Sequence, residues 1–375
     1  MPTADELLSR ETVQDLIAVL RRAAPGRSLP ALEAVEGALG GLAFGERVAA
    51  VRDAALSDLP EDPVAFDALL RAALADPGFR GWMIWAVADA VAVRSVAAWE
   101  AGDDGAFDAG LALLAALTPR HTAEAAIRRF LRADLDRTLA IVRTWTDDPD
   151  PHVRRFATEG TRPRLPWALR VPALTDRPDA TIPILDALCR DDEEYVRRSV
   201  ANHLNDVSRA RPELAVATAG RWLASPAETT PRVVRHALRT LIKQGDPGAL
   251  ELLGFGPVAG LAVRGPRLSA GTVRIGETLD FAADLENGGD APVRLAVDYV
   301  VHYQKANGTL APKVFKLTTR TLAPGERLAV ARTHAFRQLT TRRHHPGDHA
   351  LELQVNGQRY GRVAFRVDPE TPPAG

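Results

Sequence analysis

HVRRFATEGTRPRLPW, residues 152–167, is the stretch from which the fold of this chain can be inferred. Val153 to Glu159 has the spacing of a short helix, which places Arg155 and Glu159 one turn apart on one face. Gly160 is a suitable C-terminal stop, and two prolines exclude helix immediately afterwards. We therefore predict that Trp167 is presented from a stiffened loop, where a cation, an anion and an aromatic face can meet.

The first part of this stretch recurs along the chain. Val153-Arg154-Arg155 is followed after 43 residues by Val196-Arg197-Arg198, and after another 38 residues by Val234-Arg235-His236. These intervals are close to the period of HEAT-type repeats, in which stacked helix pairs form a curved solenoid. Acidic runs at 147–150 and 191–194 can cap the helices that follow them. We predict clear helix-pair repeats from about 119 to 255.

Residues 1–118 have helical patterning interrupted by proline and glycine. Apolar residues recur at near-helical spacing from Asp5 to Ala23, which predicts helical structure there. Trp82 and Trp85 are three residues apart on another predicted helix, and we expect them to be core neighbours rather than the walls of a ligand site.

The periodicity changes near residue 255. Beyond it come short alternating runs, separated by turn signals such as Asn287-Gly288, Asn307-Gly308 and Asn356-Gly357. About seven strands in about 110 residues is typical of an immunoglobulin-like β-sandwich. The predicted architecture is therefore α followed by all-β: a HEAT-like-repeat solenoid over 1–255, a sandwich over 256–368 and a frayed tail at 369–375.

The register of the repeats predicts which polar side chains share the inner wall of the solenoid. Aligning the first two copies of the motif puts Glu159 over Asn202, and Asn202, Asn205 and Asp206 share one helix face. Glu159 and Asp206 can then face one groove from adjacent repeats, with Glu124 joining them from the repeat before. The alternative is an inner wall that is polar only because it is solvated.

Charge is distributed unevenly along the chain. Residues 1–118 hold 9 Arg against 18 Asp and Glu, a balance of −9, while residues 294–366 hold 13 Arg and Lys against 4 Asp and Glu, a balance of +9. This asymmetry predicts that a polyanion meets the later part of the chain. The loop at 340–347 and a second connection flanked by Lys305, Lys313 and Lys316 are the predicted phosphate contacts, and solvated loops are the alternative.

The single cysteine, Cys189, excludes an intramolecular disulfide and a cysteine-cluster metal site. It lies in an apolar helical run, where we expect a small core residue rather than a nucleophile. His344 and His345 have no third ligand at metal-binding spacing, so we expect neither metal nor cofactor. No run approaches the roughly 18 apolar residues of a membrane helix, and a cytoplasmic monomer is expected.

Three long segments resemble the AlkC branch of bacterial DNA alkylation repair proteins. They are 153–167, the run from Tyr195 to Asp206, and the run from Arg235 to Lys243. Residues 298–308 are similar to the C-terminal immunoglobulin-like domain that some members carry. The chain departs from the family pattern around Glu124, where it has His121, Ala125 and Arg129 in place of bulky aromatic and proline residues.

The resemblance implies a DNA glycosylase that removes cationic N-alkylated bases, such as N3-methyladenine and N3-methylcytosine, from duplex DNA without flipping the base. It implies that Glu159 and Asp206 are catalytic carboxylates, with Glu124 as a further acidic residue and Trp167 as a wall beside the deoxyribose. We expect DNA contacts from Arg155, Arg162, Arg164, Arg198, Asn202, Asn205, Arg235, Lys243, Lys305, Arg342 and Arg343.

Two other hypotheses remain open from the sequence. One is a non-catalytic HEAT-repeat scaffold that binds DNA or a protein partner. The other is a glycosylase that does flip its target base into a pocket.

Overall fold

The computed structural model describes residues 3–338 and 343–370, which divide into two compact units after Ala237. The first unit is built from helices and their connections, with short 3-10 helices at Trp145–Asp147 and Pro178–Thr181. Its α-helices are α1 (Ala4–Leu7), α2 (Arg10–Ala23), α3 (Pro30–Glu36), α4 (Phe44–Asp58), α5 (Pro63–Ala73), α6 (Met83–Glu100), α7 (Asp104–Leu117), α8 (Ile127–Ala133), α9 (Leu135–Thr144), α10 (Pro151–Glu159), α11 (Pro172–Asp176), α12 (Ile182–Leu188), α13 (Glu194–Val207), α14 (Pro212–Ala224) and α15 (Thr230–Ala237).

Capping residues explain where several helices begin. Short polar side chains accept backbone hydrogen bonds at the N-termini of α2, α5, α7, α9 and α10. The helical pattern predicted from Asp5 to Ala23 corresponds to two helices, because Ser9 interrupts it and caps α2. The predicted acidic cap is present at α10, where Asp150 accepts from the His152 amide, but Glu193 before α13 makes no such bond.

One row of helices runs through the first unit and carries the site described below. We call α4, α6, α8, α10, α13 and α15 the helix row: α4 packs on α6, α6 on α8, α10 on α13 and α13 on α15. Behind the row, aromatic side chains fill the core, with Phe107 against Phe130 and Trp145 stacked on Phe156, each pair at 5.0 Å between ring centres. Cys189 is buried there, as predicted.

The second unit begins with two short helices and continues as two sheets around one apolar core. Strand orders are β1-β3-β6 and β2-β8-β7-β4-β5. The predicted all-β sandwich is confirmed. The elements are α16 (Arg239–Gln244), α17 (Pro247–Leu252), β1 (Leu261–Leu268), β2 (Thr272–Arg274), β3 (Thr278–Asn287), β4 (Val293–Gln304), β5 (Leu310–Leu322), β6 (Arg327–Ala335), β7 (Gly347–Val355) and β8 (Gln358–Asp368).

Two details of the second unit bear on the sequence predictions. Lys313 and Lys316 lie within strand β5 and do not flank a connection, which corrects their predicted placement. The change from helix to strand falls between Leu252 and Leu261, and the domain boundary predicted after residue 255 stays a prediction. None of the helices in the described ranges is both long and apolar enough to cross a membrane.

Candidate active site

Helix α10 presents Arg155 and Glu159 in the middle of the helix row. The helix ends at Glu159, as predicted, with Gly160 after it. Gly160 is needed for close packing, since a Cβ at this position would lie 2.8 Å from Cγ2 of Ile127 at the start of α8. The absence of a side chain therefore lets the end of α10 approach α8.

A single guanidinium joins the two predicted catalytic carboxylates. Arg162 Nη1 donates to Glu159 Oε1 at 2.5 Å, and Arg162 Nε donates to Asp206 Oδ2 at 2.8 Å. Glu159 and Asp206 are both 6% exposed. The structure thus brings these carboxylates together from adjacent helices α10 and α13, as the repeat register predicts.

The guanidinium of Arg155 connects a third carboxylate, that of Glu124, to Glu159. Arg155 Nη1 donates to Glu124 Oε2 at 2.6 Å, and Arg155 Nη2 lies 3.6 Å from Glu159 Oε2. The Thr122 hydroxyl also donates to Glu124, at 2.8 Å, and the Arg155 guanidinium lies 5.2 Å from the centre of the Tyr195 ring. Glu124 therefore belongs to the same network as Glu159.

We refer to Glu124, Glu159, Asp206, Arg155 and Arg162 as the carboxylate cluster. Three carboxylates against two guanidiniums give the cluster a net charge of −1 when all five groups are ionised. The excess of negative charge among these five groups stabilises positive charge that develops beside them, although the buried guanidinium of Arg128 behind them offsets part of it.

The pKa values of the two central carboxylates are shifted in opposite directions. Burial disfavours the ionised form of Glu159, but the guanidiniums of Arg155 and Arg162 outweigh burial and lower its pKa. At Asp206 burial outweighs the hydrogen bond from Arg162 and raises the pKa. Glu159 is thus held as an anion, whereas Asp206 is more basic than an ordinary aspartate.

Two residues that the sequence analysis missed support the cluster. Ser199 donates to Glu159 Oε2 at 2.6 Å from α13. Arg128, fully buried on α8, donates to three backbone carbonyls, those of Gly160 (3.3 Å), Arg162 (2.8 Å) and Leu169. Burial lowers the pKa of Arg128 to about 10. Arg128 ties down the loop that carries Arg162 and Trp167, and nothing in the sequence distinguishes it from the other two arginines of α8.

Trp167 is presented from the loop after α10, as predicted. Its backbone is left-handed, with φ of 60°, and its side chain is 56% exposed. One side of the ring faces Phe44 at 5.9 Å and Trp85 at 6.5 Å between ring centres. An exposed indole held by other aromatic rings has a face available to a ligand.

Comparison with known proteins assigns the chain to a family. Residues 120–241 match the family model "DNA alkylation repair enzyme", and residues 262–369 match "Uncharacterised protein YhaZ, C-terminal Ig-like domain". The chain is 34% identical over 326 residues to the uncharacterized protein YhaZ of Bacillus subtilis, an alignment that covers 87% of this chain and 88% of that protein. The chain belongs to the DNA alkylation repair enzyme family.

A solved structure extends the similarity to nearly the whole chain. It is Pseudomonas fluorescens alkylpurine DNA glycosylase AlkC bound to DNA containing an abasic site analog, which is 35% identical. The match has a TM-score of 0.83 and covers 98% of this chain and 100% of that one. The predicted resemblance is confirmed, and Glu124, Glu159 and Asp206 all fall within the residues that match the family model.

The other residues of the helical unit that are predicted to contact DNA differ in how exposed their side chains are. Arg164, Arg198 and Arg235 are exposed, Asn202 is half-buried, and Asn205 is buried. Arg198 lines a groove of about 360 Å³ between α13 and α15, together with Arg197, Arg232 and His236. Glu194 also lines this groove and pairs with Arg232 at 2.7 Å, so arginine exceeds carboxylate there, whereas the burial of Asn205 argues for a packing role.

The predicted contacts in the second unit are exposed where they are described. Lys243 lies on α16, Lys305 lies in the turn after β4, and Arg343 precedes β7. Arg342 lies outside the described residues. In the described part of the chain, no group of three or more His, Cys, Asp and Glu side chains is arranged to hold a metal ion.

Proposed function

We propose that this protein is a DNA glycosylase that hydrolyses the N-glycosidic bond of cationic N-alkylated bases in duplex DNA. N3-methyladenine and N3-methylcytosine are the proposed substrates. The observation that carries the proposal is the buried carboxylate cluster, with Glu159 and Asp206 bridged by Arg162 and a net charge of −1. The similarity to a glycosylase bound to DNA supports it.

The charges of the cluster fit the chemistry of this reaction. An N-alkylated cationic base is a good leaving group because it becomes neutral when it takes the electrons of the glycosidic bond. Positive charge then develops on the deoxyribose, where Glu159 stabilises it electrostatically. Asp206, whose pKa burial raises above the ordinary value of an aspartate, accepts a proton from the attacking water, and Glu124 adds to the negative field.

The arginines of the cluster have a second proposed role. In the free protein Arg155 and Arg162 neutralise part of the negative charge. Phosphates of a bound duplex compete for these guanidiniums, because Arg binds phosphate as well as carboxylate. DNA binding would then expose the carboxylates to the target sugar. Arg198 and the groove between α13 and α15 supply further phosphate contacts.

Trp167 supports attack without base flipping. Its side chain is 56% exposed and is carried by a loop that Arg128 holds in place. A projecting, fixed indole can approach the deoxyribose of a nucleotide that remains in the duplex. A flipped base would instead have to leave the duplex and enter a pocket before the bond is cleaved.

The test is to incubate the protein with methylated duplex DNA and identify the free bases that are released. We expect N3-methyladenine and N3-methylcytosine. Glu159→Gln should abolish most release while DNA binding persists, and Glu213→Gln is the matched control because Glu213 is exposed on α14. A wild-type protein that binds the duplex and releases no base would be a scaffold, and would refute the proposed function.

A further inference from the structure

A second cavity opens beside Trp167, separate from the carboxylate cluster. It has a volume of about 750 Å³, and we call it the aromatic cleft. Phe44, Trp85 and Trp167 form its aromatic walls, and Ala125, next to Glu124 in the chain, also lines it. The cleft therefore borders the cluster along the helix row.

The walls of the cleft are suited to a flat apolar ring. Phe44 contacts Trp85 at 5.5 Å and Trp167 at 5.9 Å between ring centres, and Trp82 stacks on Trp85 at 5.2 Å. Trp167 and Leu169, both at the cleft, are exposed by 56% and 39%. Exposed apolar side chains around a concavity of this volume are typical of a ligand site.

The charges of the cleft are already paired. Its carboxylate, Asp89, accepts hydrogen bonds from Arg129 at 2.6 and 3.0 Å and from Arg52 at 3.0 Å. The cleft thus has no excess negative charge comparable to the −1 of the carboxylate cluster. The carboxylate of Asp89 is neutralised by two guanidiniums and therefore offers little attraction to a cation, while the aromatic walls can stack on a neutral heterocycle.

We propose that the aromatic cleft receives the excised base as a neutral product. The inference rests on the proposed function. When the glycosidic bond breaks, its electron pair stays on the alkylated nitrogen heterocycle, which changes from a cation to a neutral base, while water adds to the sugar and releases a proton. The cationic substrate is attracted to the carboxylate cluster, and the neutral product to the adjoining aromatic cleft.

This assignment revises the role predicted for Trp82 and Trp85. The two rings are neighbours and Trp85 is buried, as predicted, but Trp82 is only half-buried and the edge of Trp85 that remains accessible lines the cleft. The volume of the cleft leaves space for an alkyl group larger than methyl. Because each buried methylene stabilises binding by about 0.8 kcal/mol, affinity should rise about fourfold per added methylene.

The first experiment measures binding of free bases to the intact protein. Tryptophan fluorescence is titrated with 3-methyladenine and its N3-ethyl and N3-propyl homologues at a pH where the bases are neutral. The cleft-filling variant is Gly45→Leu, because Gly45 lines the cleft and a Cβ there meets no atom within 4 Å. Gly40→Leu is the control, since Gly40 is exposed and a Cβ there is equally unobstructed.

We expect saturable quenching in the wild type and in Gly40→Leu, with affinity rising along the alkyl series. Binding should weaken at least tenfold in Gly45→Leu. Ala43→Leu, at a second exposed position in the cleft, should have the same effect if Gly45→Leu folds poorly. Equal affinity in the wild type and the filled variants, or no dependence on alkyl length, would overturn the proposal.

The second experiment separates product binding from base flipping. Cleavage of methylated duplex DNA is measured under single-turnover conditions, with and without added free base. Gly45→Leu should cleave at the wild-type rate and lose inhibition by product. A slower single-turnover rate would mean that the base enters the cleft before cleavage, which overturns the proposal. If the wild type releases no base, the proposed function fails, whatever the fluorescence titration shows.

Discussion

Replacing Asp206 with asparagine isolates the proposed base from the rest of the carboxylate cluster. The change keeps the shape of the side chain and removes its charge and most of its basicity. Arg162 keeps its other carboxylate partner, Glu159, which it contacts at 2.5 Å. The net charge of the cluster rises from −1 to 0, because two carboxylates then face two guanidiniums.

The expected effect on the chemical step is large. A positioned general base contributes about 10² to 10⁴ in rate, which corresponds to about 3–5 kcal/mol of transition-state stabilisation.

The free energy of unfolding, in contrast to the rate, should not decrease in the Asp206→Asn variant. Burial raises the pKa of Asp206, so its contribution to folding is complete at low pH and is lost as pH rises through the raised value. At neutral pH the neutral amide should therefore unfold at a temperature no lower than the wild type.

The assay is single-turnover release of free base from methylated duplex DNA across a range of pH, with thermal unfolding measured in parallel. Wild-type activity should fall on the acidic side as Asp206 is protonated, and Asp206→Asn should lack that limb. Asp192→Asn is the matched control, because Asp192 is exposed just before the same helix. A variant that cleaves within about threefold of the wild type would refute the role of Asp206.

Three further predictions follow from other parts of the chain. Arg128→Met should lower the free energy of unfolding by about 3 kcal/mol or more, since it removes hydrogen bonds to three carbonyls; chemical denaturation with an unchanged midpoint would contradict this. Replacing Arg342 and Arg343 with alanine should weaken duplex binding and reduce the salt slope of log K by about two; an unchanged slope would mean that these side chains do not touch phosphate. Cys189 is buried and burial raises the pKa of its thiol, so a thiol reagent should modify it only on unfolding, and rapid labelling of the native protein would show otherwise.

The sequence by itself determined the class of fold and the candidates for the site. The recurrence of Val153-Arg154-Arg155 predicted the stacked helices, and their register predicted that Glu159 and Asp206 face one another across adjacent repeats. The alternation beyond residue 255 predicted the sandwich. These features can be recognised in the sequence because helix periodicity, strand alternation and repeat length are local properties of a chain.

The tertiary structure alone decided how the charges are paired and where the apolar walls meet. Arg162 bonds Asp206, which is 44 positions away in the sequence, and Arg128 bonds the carbonyl of Gly160, which is 32 positions away. Contacts over such distances along the chain form only in the folded protein. The aromatic cleft joins side chains from α4 and α6 to the loop after α10, and no spacing in the sequence encodes that meeting. The pKa values of Glu159 and Asp206 likewise shift in opposite directions because burial and neighbouring charge, which cause the shifts, are properties of the folded chain.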